Sequence, residues 1–330
     1  MKIAIVRLSA IGDIVQSMIV LQFLRKKFPN ADLHWFVDEK FSDLVQCNPD
    51  LSHVHSLKVS KIKKDKSLKK IFQLVSYLRN LGMFDYVIDL QGLLKSAIIA
   101  RLIKSKNYCG YSWNSIREPF ASLFYNIKYE IPYETNVIKR YVFLINQIFK
   151  MQIVDTDILD KRILFDIENN FFENKDNPQV LIIIGASFKA KIYPIELYSE
   201  IINSIDADFL IVWKSEEEEE LAKKLKQISP KVKLSENLDF KTLITLVFNS
   251  KLIIGGDTGP THIAWALNKP SITIFGPTPS YRNCFETNQN LSVKSDSIVN
   301  PYKIDKSDMS IKNISADQII KRALLLLRKK

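Results

Sequence analysis

Residues 252–267 read LIIGGDTGPTHIAWAL, and the order of residue types in this stretch decides the fold class. Leu252–Gly255 forms a short apolar run of the kind a fully buried strand needs. A glycine-rich turn follows, then a segment with helical period at 258–267. Strand, tight loop and helix in that order are the building unit of a parallel sheet covered by helices. The same unit stands at the N-terminus, where Ile3–Val6 leads through a turn into an amphipathic segment from about Asp13 to Phe28. Leu33–Val37, Val54–Leu57, Tyr86–Leu90 and Tyr108–Gly110 read as further strands, with helices at 39–47, 67–81, 93–103, 118–126 and 135–150. A second series has strands at Val180–Gly185, Phe209–Trp213 and Ile272–Phe275, and helices at 194–204 and 216–228.

Between the two series, the acidic, Asn-rich segment 155–177 has no clear period and reads as a linker. A length of 330 residues suits two domains of roughly 150 residues each. The reading is therefore an α/β protein with two doubly wound domains, 1–165 and 178–330, facing each other across a cleft. Ligands are expected at the carboxyl ends of the strands. The terminal helix at 315–328 is expected to pack back on the first domain.

Of 47 Lys and Arg against 36 Asp and Glu, the whole excess lies in residues 1–150, which hold 23 basic and 12 acidic side chains. Such a field implies an anionic partner for the first half: nucleic acid, an acidic membrane face or a phosphorylated substrate. Three scattered cysteines, Cys47, Cys109 and Cys284, suggest neither a disulfide framework nor a zinc site and fit a reducing, cytoplasmic setting. The N-terminus lacks the length and flanks of a signal peptide, and no apolar stretch approaches the ~18 residues of a membrane span.

Four segments could carry chemistry. In the 255–262 loop, glycines permit close backbone approach to a ligand and the helix start offers amides to an anionic oxygen; the same residues also fit a plain glycine turn with a helix cap. In RLSAIGD (7–13), Asp13 stands where a carboxylate could act as a general base or simply cap a helix. Ser187 and Lys191 follow the first strand of the second series, placed to hold a diphosphate or to form a polar loop. Lys58–Lys70 carries seven lysines against the single acid Asp65, with no aromatic residue for base stacking, so phosphate groups fit it better than single-stranded nucleic acid. Neither G-x-G-x-x-G nor a P-loop occurs, which leaves dehydrogenase and NTPase readings unsupported. The pairs Asp155/Asp157 and Asp206/Asp208 sit in the expected linker and at the wrong end of a strand, and are discounted as metal sites.

Taken together, RLSAIGDIVQS (7–17), DLQGLLKSA (89–97), REPFASLFYN (117–126), the Ser187/Lys191 loop and GGDTGPTHIAWAL (255–267) resemble the bacterial lipopolysaccharide heptosyltransferases, most closely the branch that adds the first inner-core heptose. The resemblance implies a GT-B fold of two Rossmann-like domains and an inverting, metal-independent transfer. It implies ADP-L-glycero-D-manno-heptose as donor and the Kdo unit of Kdo-lipid A as acceptor, reached by a monomer peripheral on the cytoplasmic face of the inner membrane, with no cofactor and no nucleic acid. By the same resemblance Asp13 is the base and Lys191 the catalytic cation on the donor phosphates, with Ser187, Glu216, Leu238, Asp257, Thr258, Gly259 and His262 completing the donor site. Lys58, Lys61, Lys63, Lys64, Lys66, Gln91, Lys95 and Arg117 are expected on the acceptor side. With donor and base on different domains, cleft closure is expected to precede chemistry. Transfer to a heptose already on the core, or a basic nucleic-acid-binding module, are the alternative readings.

Overall fold

A computed structural model of the chain describes residues 1–65, 67–167 and 179–328. The chain divides into two units, Met1–Asp166 and Ile167–Lys330.

The first unit is built on six strands, β1 (Lys2–Val6), β2 (Asp32–Asp38), β3 (His53–Leu57), β4 (Met83–Asp89), β5 (Lys104–Tyr111) and β6 (Ile127–Tyr129). All pair in parallel in the order β3-β2-β1-β4-β5-β6. A parallel sheet is covered on both faces, so its central strands must be apolar on both sides. Ile3, Ala4, Ile5 and Val6 of β1 are accordingly fully buried. The single helix expected from Asp13 to Phe28 is two, Ile11–Ser17 and Ile19–Lys27, joined at Met18. The Ser17 hydroxyl donates to the Ile14 carbonyl at 2.9 Å, a local bond that competes with the regular helical ladder.

The second unit repeats the plan with β7 (Val180–Ile183), β8 (Phe209–Val212), β9 (Val232–Leu234), β10 (Leu252–Gly256), β11 (Ser271–Phe275) and β12 (Asn290–Lys294). The order β12-β11-β10-β7-β8-β9 is again parallel throughout. Counted within its own unit, each sheet runs 3-2-1-4-5-6, the doubly wound order of Rossmann-like domains. Its switch point falls between β1 and β4 in the first unit and between β7 and β10 in the second.

One boundary expectation changes. The proposed linker begins too early: Asp155–Leu159 is a helix of the first unit, anchored by buried Ile158, and Leu164 and Phe165 are buried as well. Asn48 holds the Leu164 carbonyl at 2.7 Å, which ties this acidic stretch to the preceding sheet connection. The rest of the expected linker, residues 168–178, lies outside the described residues. The terminal helix Ala316–Arg328 puts Ala316, Ile319, Ala323 and Leu326 into the core of its own unit, against the helix Ile195–Ser204.

Candidate active site

In the second unit, every residue expected around the donor lies past the carboxyl end of a strand: Ser187 and Lys191 after β7, Glu216 after β8, Leu238 after β9, and Asp257–His262 after β10. The centre of the group is Asp257, which is almost fully buried. One carboxylate oxygen, Oδ2, is 3.2 Å from the Lys191 ammonium and accepts from Asn283 Nδ2 at 3.2 Å. The other, Oδ1, is 3.0 Å from His262 Nε2. Burial alone would raise the Asp257 carboxyl, but Lys191 and His262 outweigh it and hold the group well below the usual carboxylate range.

Two glycines make this packing possible. A Cβ on Gly255 would lie 2.8 Å from Ile183 Cβ and from Thr261 Oγ1, and one on Gly256 would lie 2.9 Å from the Lys191 carbonyl oxygen. The backbone of β10 therefore passes directly against the Lys191 turn, and this brings the Lys191 and Asp257 side chains within reach. Thr258 is the N-cap of the helix Gly259–Ala266, where the His262 amide closes the first turn on the Thr258 carbonyl at 3.3 Å. The amides of Gly259 and Thr261 belong to that first turn, where backbone donors have no acceptor within the helix and face an incoming anion.

Around this centre Ser187 is exposed, Glu216 is exposed at the first turn of the helix Glu216–Ile228, and Leu238 is half-buried. Of the glutamate run, Glu218 is the one that packs against the loop after β7, since a Cβ on Gly185 would meet its carboxylate at 2.2 Å. That carboxylate is already engaged in capping, accepting from the Lys214 amide at 2.7 Å. Asn283 and Lys306 were not foreseen from sequence. Asn283 reaches Asp257 from a distant turn, and the Lys306 ammonium sits 5.8 Å from the Phe188 ring, whose centre is 5.7 Å from Lys191 Nζ.

In the first unit the matching switch point is held by Arg7, Asp13 and the turn after β4. Asp13 is partly exposed, and its Oδ2 is 2.7 Å from Nη2 of the buried Arg7. Arg7 also donates to the Leu90 carbonyl at 3.2 Å and lies over the Tyr141 ring. Burial opposes the charge on this guanidinium, yet Asp13 first and the neighbouring Tyr141, Tyr111 and Asp89 after it raise its pKa further. Gln91 accepts from the Leu8 amide at 2.8 Å, and Lys95 donates to Ser9 Oγ at 3.0 Å, so Ser9, Gln91 and Lys95 gather at the loop that leads into the helix carrying Asp13.

Beneath them is a carboxylate that sequence reading passed over. Asp89, fully buried at the end of β4, accepts from the amides of Gln91 and Gly92 at 2.8 and 3.1 Å, from Ser96 Oγ at 2.8 Å and from Tyr125 OH at 2.6 Å. Burial pushes its carboxyl up, while these four donors oppose the shift. Asp89 is a positioning residue: it folds the turn so that Gln91 points at the β1 loop.

A family model for glycosyltransferase family 9 (heptosyltransferase) matches residues 71–301. The chain belongs to glycosyltransferase family 9. Lipopolysaccharide heptosyltransferase 1 of Campylobacter coli is 36% identical to it, over 97% of this chain and 97% of that relative. Among solved structures, E. coli heptosyltransferase WaaC with ADP superposes with a TM-score of 0.80 at 21% identity, covering 99% of this chain and 100% of that one. The same enzyme with ADP-2-deoxy-2-fluoro heptose gives 0.78 at 22% identity, over 98% and 100%. These two likenesses carry the fold, and the paired six-stranded sheets agree with the GT-B expectation.

In this family 9 glycosyltransferase the residues expected on the acceptor side fall in separate parts of the first unit. Lys58, Lys61 and Lys64 are exposed at the edge of the sheet beyond β3, two strands from β1, on or beside a helix at Val59–Asp65. Lys61 is engaged with Glu39 at 2.9 Å, a contact that raises its pKa. Lys66 lies outside the described residues, and of Lys63 only the backbone is described. Arg117 is exposed after β5, next to Glu118, which accepts from the Leu94 amide at 2.8 Å. The discounted Asp pairs have structural partners: Asp155 with Lys139 at 2.5 Å, Asp157 with the Val154 amide at 2.8 Å and Asp206 with Lys231 at 2.8 Å.

Proposed function

We propose that this glycosyltransferase moves L-glycero-D-manno-heptose from ADP-heptose to the Kdo unit of Kdo-lipid A, with inversion and without a catalytic metal. The observation that carries the reading is the Lys191–Asp257–His262 cluster at the head of the Gly259–Ala266 helix in a family 9 chain. The complexes of the E. coli relative, with ADP and with ADP-2-deoxy-2-fluoro heptose, support an ADP-sugar as the donor.

In the proposed step the acceptor hydroxyl oxygen forms a bond to C1 of the heptose as the bond from C1 to the diphosphate oxygen breaks, and the hydroxyl proton passes to Asp13. Arg7 holds Asp13 by Oδ2, which leaves Oδ1 to face the hydroxyl. A carboxylate is a weak base, so proton transfer comes late, once the attacking oxygen has begun to bond to an oxocarbenium-like carbon. The departing ADP gains charge, which Lys191 and the Gly259 and Thr261 amides stabilise. Ser187 adds a hydroxyl donor, while Glu216 and Leu238 are assigned to the ribose and the base. Gln91, Lys95 and Arg117 are assigned to the acceptor's carboxylate and phosphates, with Lys58, Lys61, Lys63, Lys64 and Lys66 supplying the wider field.

The acceptor is a lipid, and the first unit offers a surface suited to it. On the helix Leu68–Asn80, Leu68 is 81% and Phe72 is 75% exposed, one helical turn apart, with Lys69 and Lys70 exposed alongside. Apolar side chains flanked by lysines are what an anionic membrane surface attracts. No helix among the described residues is long and apolar enough to cross a membrane. We place the enzyme as a monomer on the cytoplasmic face of the inner membrane.

The test is direct: Asp13→Ala with ADP-heptose and Kdo-lipid A. Transfer is expected to fall by about 10²–10⁴ with ADP affinity unchanged. Wild-type-like turnover in the variant would remove the base from Asp13. Product mass showing heptose on heptose instead of on Kdo would move the enzyme to a later step of the core.

A further inference from the structure

Three of the four histidines in the chain have no part in the reaction above and lie together at the opposite end of the first sheet. Asp32 opens β2 and His34 follows two residues later on the same face. His53 opens β3 directly across from His34, and His55 stands opposite Phe36. His34 Nε2 is 2.8 Å from Asp32 Oδ2, and His53 Nε2 is 3.6 Å from Asp32 Oδ1. One ligand atom from each of Asp32, His34 and His53 falls within 4.8 Å of the other two.

His34 is buried, and its Nε2 lies against the Asp32 carboxylate. An imidazole nitrogen and a carboxylate oxygen so close share either a proton or a cation. Three such atoms with separations of about 3 to 5 Å can close around an ion at bond lengths of about 2.0–2.2 Å after small rotations. Two of the three side chains, Asp32 and His53, are partly exposed and free to make them.

The buried ligand is held from behind. His34 Nδ1 is 2.7 Å from His55 Nε2, and His55 Nδ1 is 2.7 Å from Tyr77 OH. The His55 ring stacks on Phe36 at 4.3 Å, and His34 meets Phe84 edge-on at 4.9 Å. With an ion on Nε2, His34 keeps its proton on Nδ1 and donates to His55, which donates in turn to the Tyr77 oxygen. Both nitrogens of His34 and of His55 then have a defined role, the outer support that fixes a metal-binding imidazole. The nearby Lys2 ammonium is directed elsewhere, donating to the Leu81 carbonyl at 2.9 Å and lying over Phe84.

We propose that Asp32, His34 and His53 form a binding site for a borderline divalent transition ion, Zn²⁺ in the first instance, with solvent completing the coordination. Two imidazoles and one carboxylate select such an ion over Mg²⁺ or Ca²⁺, which require oxygen ligands. The site lies four residues or more before the carboxyl end of β2, roughly 13 Å at a strand rise of ~3.3 Å per residue, so it is separate from the sugar chemistry. It clips the edge strand β3 to β2.

The test uses the full chain freed of metal, titrated with Zn²⁺ by calorimetry and by thermal melting, and with Co²⁺ in the visible. Expected are one saturable equivalent of Zn²⁺, a rise in Tm reversed by EDTA, and a visible Co²⁺ band. In His53→Ala, whose replaced side chain is 59% exposed, affinity should weaken at least tenfold while the metal-free Tm and glycosyl transfer stay unchanged. His55→Gln should weaken binding about tenfold through loss of the His34 support. Absence of saturable binding, or equal binding in His53→Ala through the cysteine thiols, would overturn the proposal.

Discussion

Asp257 concentrates the electrostatics of the proposed donor site in one side chain. Its carboxylate answers Lys191, His262 and Asn283 in a place where an unpaired charge would be expensive. Replacing it by Asn keeps the shape and removes the charge, leaving the Lys191 ammonium buried without a counter-charge. At neutral pH the variant should lose about 3 kcal/mol of stability. The pH dependence has a definite sign. A carboxyl whose folded pKa is depressed contributes its full stabilisation above the unfolded value of about 3.9 and loses it as pH falls towards the folded value. The gap between wild type and Asp257→Asn in urea denaturation should therefore be constant from about pH 5 to 8 and narrow below about pH 4. A gap that closed nearer neutrality would mean that Asp257 is not held as an anion.

At the scale of elements, the site depends on how closely β10 passes the Lys191 turn. Gly256→Ala would drive a methyl group into the Lys191 carbonyl, a backbone atom with no rotamer to yield. The strand and sheet should survive, since the clash falls at the strand end, but the turn must retreat from Asp257. ADP affinity by calorimetry should fall about tenfold, or 1.4 kcal/mol, with the far-ultraviolet circular dichroism unchanged. Unaltered affinity would show that the turn adjusts without moving Lys191. This dependence on close packing also explains what could be read from the sequence. The apolar runs of β1, β7 and β10 declare themselves because central parallel strands are buried on both faces. The edge strands β6, β9 and β12 are short and mixed in polarity, as in Ile127–Tyr129, Val232–Leu234 and Asn290–Lys294, and carry no such signal. The strand-to-helix connections that present Asp13, Lys191 and Asp257 were legible from glycine, charge and their place after strands. The four-donor clamp on Asp89 was not, because Tyr125 comes to it from 36 residues away. The Asp32–His34–His53 cluster was hidden for the same reason, since only the β2–β3 register sets His34 opposite His53.

For the whole molecule, the excess charge of the first 150 residues is the feature that the sheet topology does not explain. Part of it is locally neutralised, with Lys61 on Glu39, Lys70 on Asp65 and Lys139 on Asp155. Lys58, Lys64 and Lys69 remain exposed, Lys69 next in the chain to the exposed Leu68 and a turn from Phe72. If that patch meets an anionic bilayer, apolar and ionic contributions should separate experimentally. Each lysine near such a surface contributes about 1 kcal/mol, and this is screened within a Debye length of about 8 Å at physiological salt. Lys58→Glu, Lys64→Glu and Lys69→Glu together should abolish co-sedimentation with phosphatidylglycerol vesicles at low salt. Leu68→Ser with Phe72→Ser should weaken binding while leaving its salt dependence intact. Both sets should raise the apparent KM for a lipid-borne acceptor several-fold and leave the KM for ADP-heptose unchanged, because the donor groups lie in the second unit. An acceptor stripped of its acyl chains separates membrane capture from direct contact: if the lysines only recruit the enzyme to the surface, its KM should be indifferent to the substitutions. If its KM rises equally, the lysines bind the sugar-phosphate headgroup itself, and the field of the first unit serves the acceptor and not the bilayer.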